Sequence, residues 1–394
     1  MASNRYLIVG GGMTADAAVK GIRSVDPDGE IVLVGEEGHA PYARPPLSKG
    51  LWREGADEQS VFRGTEEHGV DLVLGRRIVS LDLDGRNATD DRGDTYTYDR
   101  LLLATGGSPR RLASVGDGVV YFRTLDDYRR LRESASTGGR AVVIGGGFIG
   151  SEVAAALASS GVEVSLLFPE PGIGARLFPA DLAAELNDYY HEHGVEVLPG
   201  ETVSSIDRDG DGFRVTTDSG AVLEADLVVA GLGIEPRSEL AESAGLTVSD
   251  GIHVDERGRV GGRDDVFAAG DVARFPATVL GTDLRIEHED HAKSHGARVG
   301  ANMAGADEPY DHLPFFYSDL FDLGYEAVGL VDSRLQTVAE WQEPYRKGVV
   351  GYVDEDGRPR GFLLWDVWGK VDEATELIRA GRPLDTEDLR ALLG

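Results

Sequence analysis

At 394 residues the chain has room for two or three domains, each large enough to bury its own core. It has no cysteine, which excludes structural disulfides, thiolate metal sites and a redox-active thiol pair. A formal charge of −30 argues against nucleic acid or an anionic membrane surface as a partner, and no apolar run approaches the length of a membrane span. With the first strand starting a few residues after Met1, a soluble cytoplasmic protein is expected.

From Arg5 to Val34 the pattern is strand, helix, strand. Leu7, Ile8 and Val9 run into Gly10, Gly12 and Ala15, a glycine turn with alanine in its third place, and Ala15, Ala18, Val19 and Ile22 make the apolar stripe of the helix. Such a turn lets a pyrophosphate approach bare backbone at the positive end of a helix. The second strand ends at Glu36, where a carboxylate could hold a ribose diol or simply face solvent. In PYARPPLSKGLW, residues 41–52, two prolines hold the chain extended and a helix is expected over 47–51, placing Lys49 on a firm support. A buried strand then ends in ATGG at Ala104, Thr105 and Gly106, and a composition break near Gly116 marks a domain boundary.

The glycine turn has a twin. In AVVIGGGFIGSE, residues 141–152, a buried strand meets Gly145, Gly147 and Gly150 in GxGxxG spacing, and a helix begins at Phe148. The following strand ends at Glu170, an acid that favours the free ribose hydroxyls of NADH, although Arg176 nearby leaves NADPH open. Two dinucleotide folds in one chain imply two nucleotides, and hence electron transfer between them. Residues 195–231 read as a strand meander, in which Asp207, Asp209, Asp211, Gly212 and Asp218 form a polar hairpin turn and not a calcium loop. A second strand-then-glycine segment closes near Gly233.

VFAAGDVARF, 266–275, places Asp271 at a helix start, as a polyol-binding carboxylate or an ordinary N-cap. Next come His288, His291 and His295, whose spacing alone does not make a metal site, and none is assigned. From about Pro314 an aromatic-rich α+β section follows, with strands around Val328, Val338 and Val349, a hairpin at 354–357 and two closing helices. The fold class expected is α/β: two Rossmann-like domains, 1–115 with 238–313 and then 116–237, plus a C-terminal α+β domain at 314–394.

RPPLSK (44–49), GGGFIGSE (145–152), LFPE (167–170), RIEHEDHA (285–292) and YSDLFDLGYEAVGLVDS (317–333) together resemble the FAD- and NAD(P)H-dependent pyridine nucleotide-disulfide oxidoreductases of the glutathione reductase fold. The resemblance extends in particular to the apoptosis-inducing factor-like and bacterial ferredoxin reductase-like flavoproteins, and it implies the following roles. Gly10, Gly12, Ala15, Glu36, Arg44, Ala104, Thr105, Gly106, Asp271 and Glu287 would contact FAD. Gly145, Gly147, Gly150, Glu170 and Gly233 would contact NADH. Lys49 and Glu152 match an ion pair beside the flavin, Phe148 a ring that covers it, and His288 and Glu326 the nicotinamide side. Tyr317 stands where tryptophan is usual, and no long insertion separates Trp341 from Gly348, so apoptotic signalling is not carried over.

The function this implies is hydride transfer from NADH to the flavin, then electron transfer to a small iron–sulfur protein, a quinone or oxygen. The alternative is a redox-responsive interaction protein that forms a long-lived NADH charge-transfer complex, turns over little and changes its homodimerisation.

Overall fold

The structure, a computed structural model, describes residues 4–113 and 118–394; the boundary expected near Gly116 lies outside the described residues. The chain divides into two compact units. One comprises Met1–Arg44, Asp57–Ser108 and Glu235–Pro314, the other Pro45–Ala56, Pro109–Ile234 and Phe315–Gly394.

The first unit is built on a five-stranded parallel sheet in the order Val266–Ala268, Arg100–Leu103, Arg5–Val9, Glu30–Gly35, Asp71–Leu74. The strand that feeds the first glycine turn is therefore central, with Leu7 level with Val32 on one side and Leu101 on the other. Strands buried on both faces need continuous apolar runs, and Leu7, Ile8, Leu101, Leu102 and Leu103 supply them. The helix Met13–Val25 turns Ala15, Ala18, Val19 and Ile22 into the sheet, all of them fully buried. Val299 and Met303 of the helix Glu289–Met303 join the same core.

The second unit repeats the plan. Its parallel sheet runs Val195–Pro199, Glu163–Phe168, Arg140–Ile144, Leu227–Ala230, Val120–Tyr121, again with the strand before the glycine turn in the middle. This corrects the meander expected over 195–231: only Val203–Asp209, Gly212–Thr217 and Val222–Ala225 form an antiparallel sheet, and the flanking strands belong to the parallel one. Val195–Pro199 follows the crossover helix Ala180–Glu192, which is how a parallel neighbour is reached, and Leu227–Ala230 is buried at every residue. Asp209 and Gly212 close the hairpin around Gly210, which has a φ of 59°.

The C-terminal part of this unit is a five-stranded antiparallel sheet in the order Phe315–Leu320, Leu323–Gly329, Pro359–Trp365, Lys347–Val353, Gln336–Glu343. The helices Val371–Ala380 and Thr386–Leu393 bury Ala374, Ile378, Leu389 and Leu392. At its centre Tyr325 stacks on Trp365 with ring centroids 5.3 Å apart, and Phe178 meets both rings edge-on. The expected α/β class, two Rossmann-like folds and an α+β C-terminal part, is the architecture found. Among the described residues no helix is long and apolar enough to cross a membrane.

Candidate functional site

In the first unit the turn after the central strand requires glycine at one position for two reasons. Gly10 has a φ of 125°, and a Cβ there would lie 2.1 Å from the carbonyl oxygen of Ala104. Gly12 is the N-cap of Met13–Val25 and supplies no side-chain cap; a Cβ built on it meets nothing within 4 Å. The helix thus presents backbone N–H groups and the positive end of its dipole toward open space.

Around this turn, Glu36 accepts from Arg237, while Glu37 accepts from Arg44 at 2.6 Å and from the Tyr42 hydroxyl at 2.5 Å. Burial opposes the charge on Glu37, but Arg44 and Tyr42 prevail and hold its carboxyl below the ordinary glutamate range. The Thr105 hydroxyl donates to the Arg237 carbonyl at 2.7 Å, and the Arg237 N–H donates to the Gly106 carbonyl at 3.0 Å. Arg237 therefore ties the end of the ATGG segment to the acid after the second strand.

Asp271 is buried, but it does not begin an α-helix as expected. It sits in a single 3-10 turn, Gly270–Val272, followed by the strand Ala273–Ala277, where Ala273, Phe275 and Ala277 alternate inward. Arg285 donates to the Asp271 carbonyl at 3.2 Å and to the Glu287 carboxylate at 2.7 Å. His288 is the N-cap of Glu289–Met303, and burial pulls its pKa down to about 4, so it is neutral at pH 7. His291 and His295 point into the core: His291 stacks on Phe275 at 4.8 Å and His295 on Tyr310 at 4.5 Å, and both are 1% exposed.

In the second unit Gly145 has a φ of 113°, and a Cβ on Gly150 would fall 1.7 Å from the Gly145 carbonyl oxygen. Gly147, the N-cap of Phe148–Ser159, again has open space where its Cβ would be. Glu170, at the end of the next strand, accepts from Arg176 at 2.6 Å, and Gly233 has a φ of 80°. Both turns fit a dinucleotide. In each, the close approach of backbone to backbone is reserved for glycine, and the uncapped helix start faces a space that one methyl group would invade.

Lys49 lies between two 3-10 turns, Pro45–Ser48 and Gly50–Trp52, where one helix was expected. Pro45 and Pro46 have no N–H to donate, and Lys49 itself is non-helical, with φ −130° and ψ −96°. Its Nζ is 2.7 Å from Oε1 of Glu152, with the two side chains only 11% and 3% exposed. The serines beside them had no sequence signal of this kind. Ser48 donates to Oε2 of Glu152 at 2.6 Å, and Ser318 donates to Oε1 at 2.5 Å. A buried carboxylate with three donors is well satisfied, which a charge at that depth requires.

The Lys49 ammonium also lies 5.5 Å from the centre of the Tyr317 ring. Phe148 meets Phe316 edge-on at 5.2 Å. Tyr317 pairs in register with Glu326, whose carboxylate accepts the Gly369 N–H at 2.9 Å. Within this unit the structure brings together Lys49, Glu152 and Tyr317, all read from sequence, and adds Ser48 and Ser318.

A family model described as pyridine nucleotide-disulphide oxidoreductase matches residues 4–296, and one described as apoptosis-inducing factor, mitochondrion-associated, C-term matches residues 299–344. The chain is 32% identical over 429 residues to apoptosis-inducing factor 1, mitochondrial, of Dictyostelium discoideum, an alignment covering 98% of this chain and 80% of that protein. It is 34% identical over 401 residues to the ferredoxin–NAD(+) reductase component of the anthranilate 1,2-dioxygenase system of Burkholderia cepacia, covering 99% and 97%. Among solved structures, that of the covalent putidaredoxin reductase–putidaredoxin complex matches with a TM-score of 0.93 at 28% identity, covering 100% of this chain and 96% of that one.

Proposed function

The chain belongs to the pyridine nucleotide-disulphide oxidoreductase family, and from that premise we propose that it is an FAD-dependent NADH oxidoreductase whose second acceptor is a small iron–sulfur protein. The observation that carries this reading is the buried Lys49–Glu152 pair in a chain with two glycine turns built for dinucleotides. When bound, FAD supplies a ring that takes hydride at N5 from NADH and returns electrons to the acceptor.

In this proposal residues 1–115 and 238–313 hold FAD, 116–237 hold NADH, and 314–394 form the third domain. Gly10 and Gly12 leave backbone N–H groups for the FAD pyrophosphate, with Ala15 packing the helix against its strand; Glu36 and Asp271 offer carboxylates to its hydroxyls, and Arg44, Ala104, Thr105, Gly106 and Glu287 line it. Gly145, Gly147 and Gly150 do the same for NADH, Glu170 binds its adenosine ribose, and Gly233 lets the chain pass close to it. Lys49 keeps a fixed positive charge where the reacting edge of the ring gains electron density, and Glu152 fixes its position and tempers its field. Phe148, His288, Tyr317 and Glu326 exclude water and orient the nicotinamide; His288 does so as a neutral imidazole.

The iron–sulfur acceptor is supported by the likeness to a ferredoxin–NAD(+) reductase component and to putidaredoxin reductase solved with putidaredoxin. A second reading, a redox-responsive interaction protein that turns over slowly, is favoured by the match of residues 299–344 to the apoptosis-inducing factor C-terminal model. An acceptor panel under NADH, with a plant-type or bacterial [2Fe–2S] ferredoxin, a benzoquinone and oxygen, separates them. Rapid ferredoxin reduction supports the enzyme. Reduced protein that persists for many minutes in air, with a change of size on a column, supports the second reading.

A further inference from the structure

We propose that Ser318 and Ser48 are positioning residues for the Lys49–Glu152 pair, and that the antiparallel sheet of the C-terminal segment thereby tunes how readily the bound flavin is reduced. The proposal rests on the reading above that this pair serves the flavin. Glu152 is 4% exposed and its carboxylate takes three hydrogen bonds from two separate places in the chain, the Ser48–Lys49 pair and Ser318. Lys49 and Ser318 share Oε1, at 2.7 Å and 2.5 Å, and Ser48 occupies Oε2 at 2.6 Å. Ser318 lies 166 residues from Glu152 in sequence and Ser48 lies 104.

Ser318 is itself fixed. It is fully buried on the strand Phe315–Leu320 and pairs in register with Tyr325. Tyr325 is in turn held flat on Trp365. The aromatic centre of the C-terminal sheet thus ends in a hydroxyl aimed at the carboxylate that holds the lysine.

The physical consequence follows from sharing. A carboxylate with two hydroxyl donors has part of its charge neutralised before the ammonium is counted, so Lys49 is held without being cancelled. Removing the Ser318 donor leaves Oε1 to Lys49 alone. More negative charge is then uncompensated in the same buried spot, and it cancels more of the field of the lysine, which is already at contact distance. Both effects disfavour an electron-rich ring nearby, so the flavin becomes harder to reduce.

The test uses the full chain loaded with FAD, comparing wild type, Ser318→Ala, Ser318→Thr and Ser48→Ala. The reading is the flavin midpoint potential, from equilibrium reduction against a reference dye at pH 7. Ser318→Ala should lower the reduction equilibrium constant by about tenfold, which is about 30 mV for a two-electron couple. Ser318→Thr, which keeps the hydroxyl, should restore most of it, and the NADH concentration for half-maximal flavin reduction rate should change by less than twofold. A potential equal to wild type in Ser318→Ala overturns the proposal. If that variant is insoluble, Ser48→Ala decides in the same way, because it strips the other oxygen of its donor. A wild-type protein that binds no FAD, or whose flavin NADH does not reduce, overturns the functional reading instead.

Discussion

Gly147→Ala and Gly150→Ala stand three residues apart in one turn, and the structure assigns them opposite consequences. At Gly150 the added methyl would sit 1.7 Å from a backbone carbonyl oxygen, about half an ordinary contact distance, and backbone cannot rotate out of the way as a side chain can. Overpacking usually costs about 1–3 kcal/mol, and a clash with unyielding backbone belongs at the top of that range, about 3 kcal/mol. The better helix propensity of alanine returns only about 1 kcal/mol, leaving a net loss of about 2 kcal/mol. For a unit of this size that corresponds to a fall in Tm of roughly 4–8 °C. At Gly147 the φ is −86° and the methyl meets nothing within 4 Å, so stability should change by less than about 1 kcal/mol, the difference between glycine and alanine as an N-cap.

Binding should invert the order of damage relative to stability. In the proposed function the Gly147 methyl would enter the space taken by the NADH pyrophosphate, so Gly147→Ala should weaken NADH binding by about tenfold or more while melting near wild type. Thermal unfolding and NADH titration of the FAD-loaded protein measure both. A Gly150→Ala protein that melts with wild type, or a Gly147→Ala protein that binds NADH undiminished, would refute the reasoning.

Two further predictions concern charge. His291 and His295 are buried neutral, and burial pushes the His295 pKa to about 3 and that of His291 well below its ordinary value. In the unfolded chain each takes a proton near pH 6.5, so the stability they allow is fully present above that pH and is lost as pH falls toward 3. The expected slope is about 1.4 kcal/mol per pH unit for each histidine. Urea unfolding across pH 7 to 4 should show it, and His295→Gln should make the slope shallower; an unchanged slope in that variant contradicts the assignment. Glu170 holds Arg176 at 2.6 Å. Glu170→Ala should release that arginine and shift the kcat/KM ratio of NADH to NADPH toward NADPH by about tenfold or more, whereas an unaltered ratio would remove Glu170 from coenzyme choice.

What the sequence made legible was local. The GxGxxG spacing at 145–150 and its partner at 10–15 specify strand, tight turn and helix because Gly10, Gly145 and Gly150 each answer a close backbone contact within a few residues or at the end of the adjacent strand, while Gly12 and Gly147 keep the helix starts open. Their repetition was enough to predict two Rossmann-like folds. Distance in sequence hid the rest. Nothing in the spacing of RPPLSK says that Ser48 and Lys49 meet a carboxylate more than a hundred residues later, or that Ser318 joins them; only the resemblance pointed to the ion pair. Arg237 is bound to Glu36, 201 positions away, and Arg44 chose Glu37 over its neighbour, a distinction no pattern carries. The expected helix at 47–51 is interrupted at Lys49, whose φ of −130° and ψ of −96° are non-helical and divide the segment into two short 3-10 turns. The three histidines at helical spacing are assigned no metal from sequence, and packing against Phe275 and Tyr310 accounts for two of them.

The central claim is that NADH reduces a flavin beside the Lys49–Glu152 pair, and anaerobic stopped-flow mixing of FAD-loaded protein with NADH tests it most directly. The wild-type visible absorbance of the flavin should bleach rapidly, and Lys49→Met, with the same flavin content, should bleach about a hundredfold more slowly. A flavin that NADH leaves oxidised, or a Lys49→Met rate equal to wild type, would contradict the account.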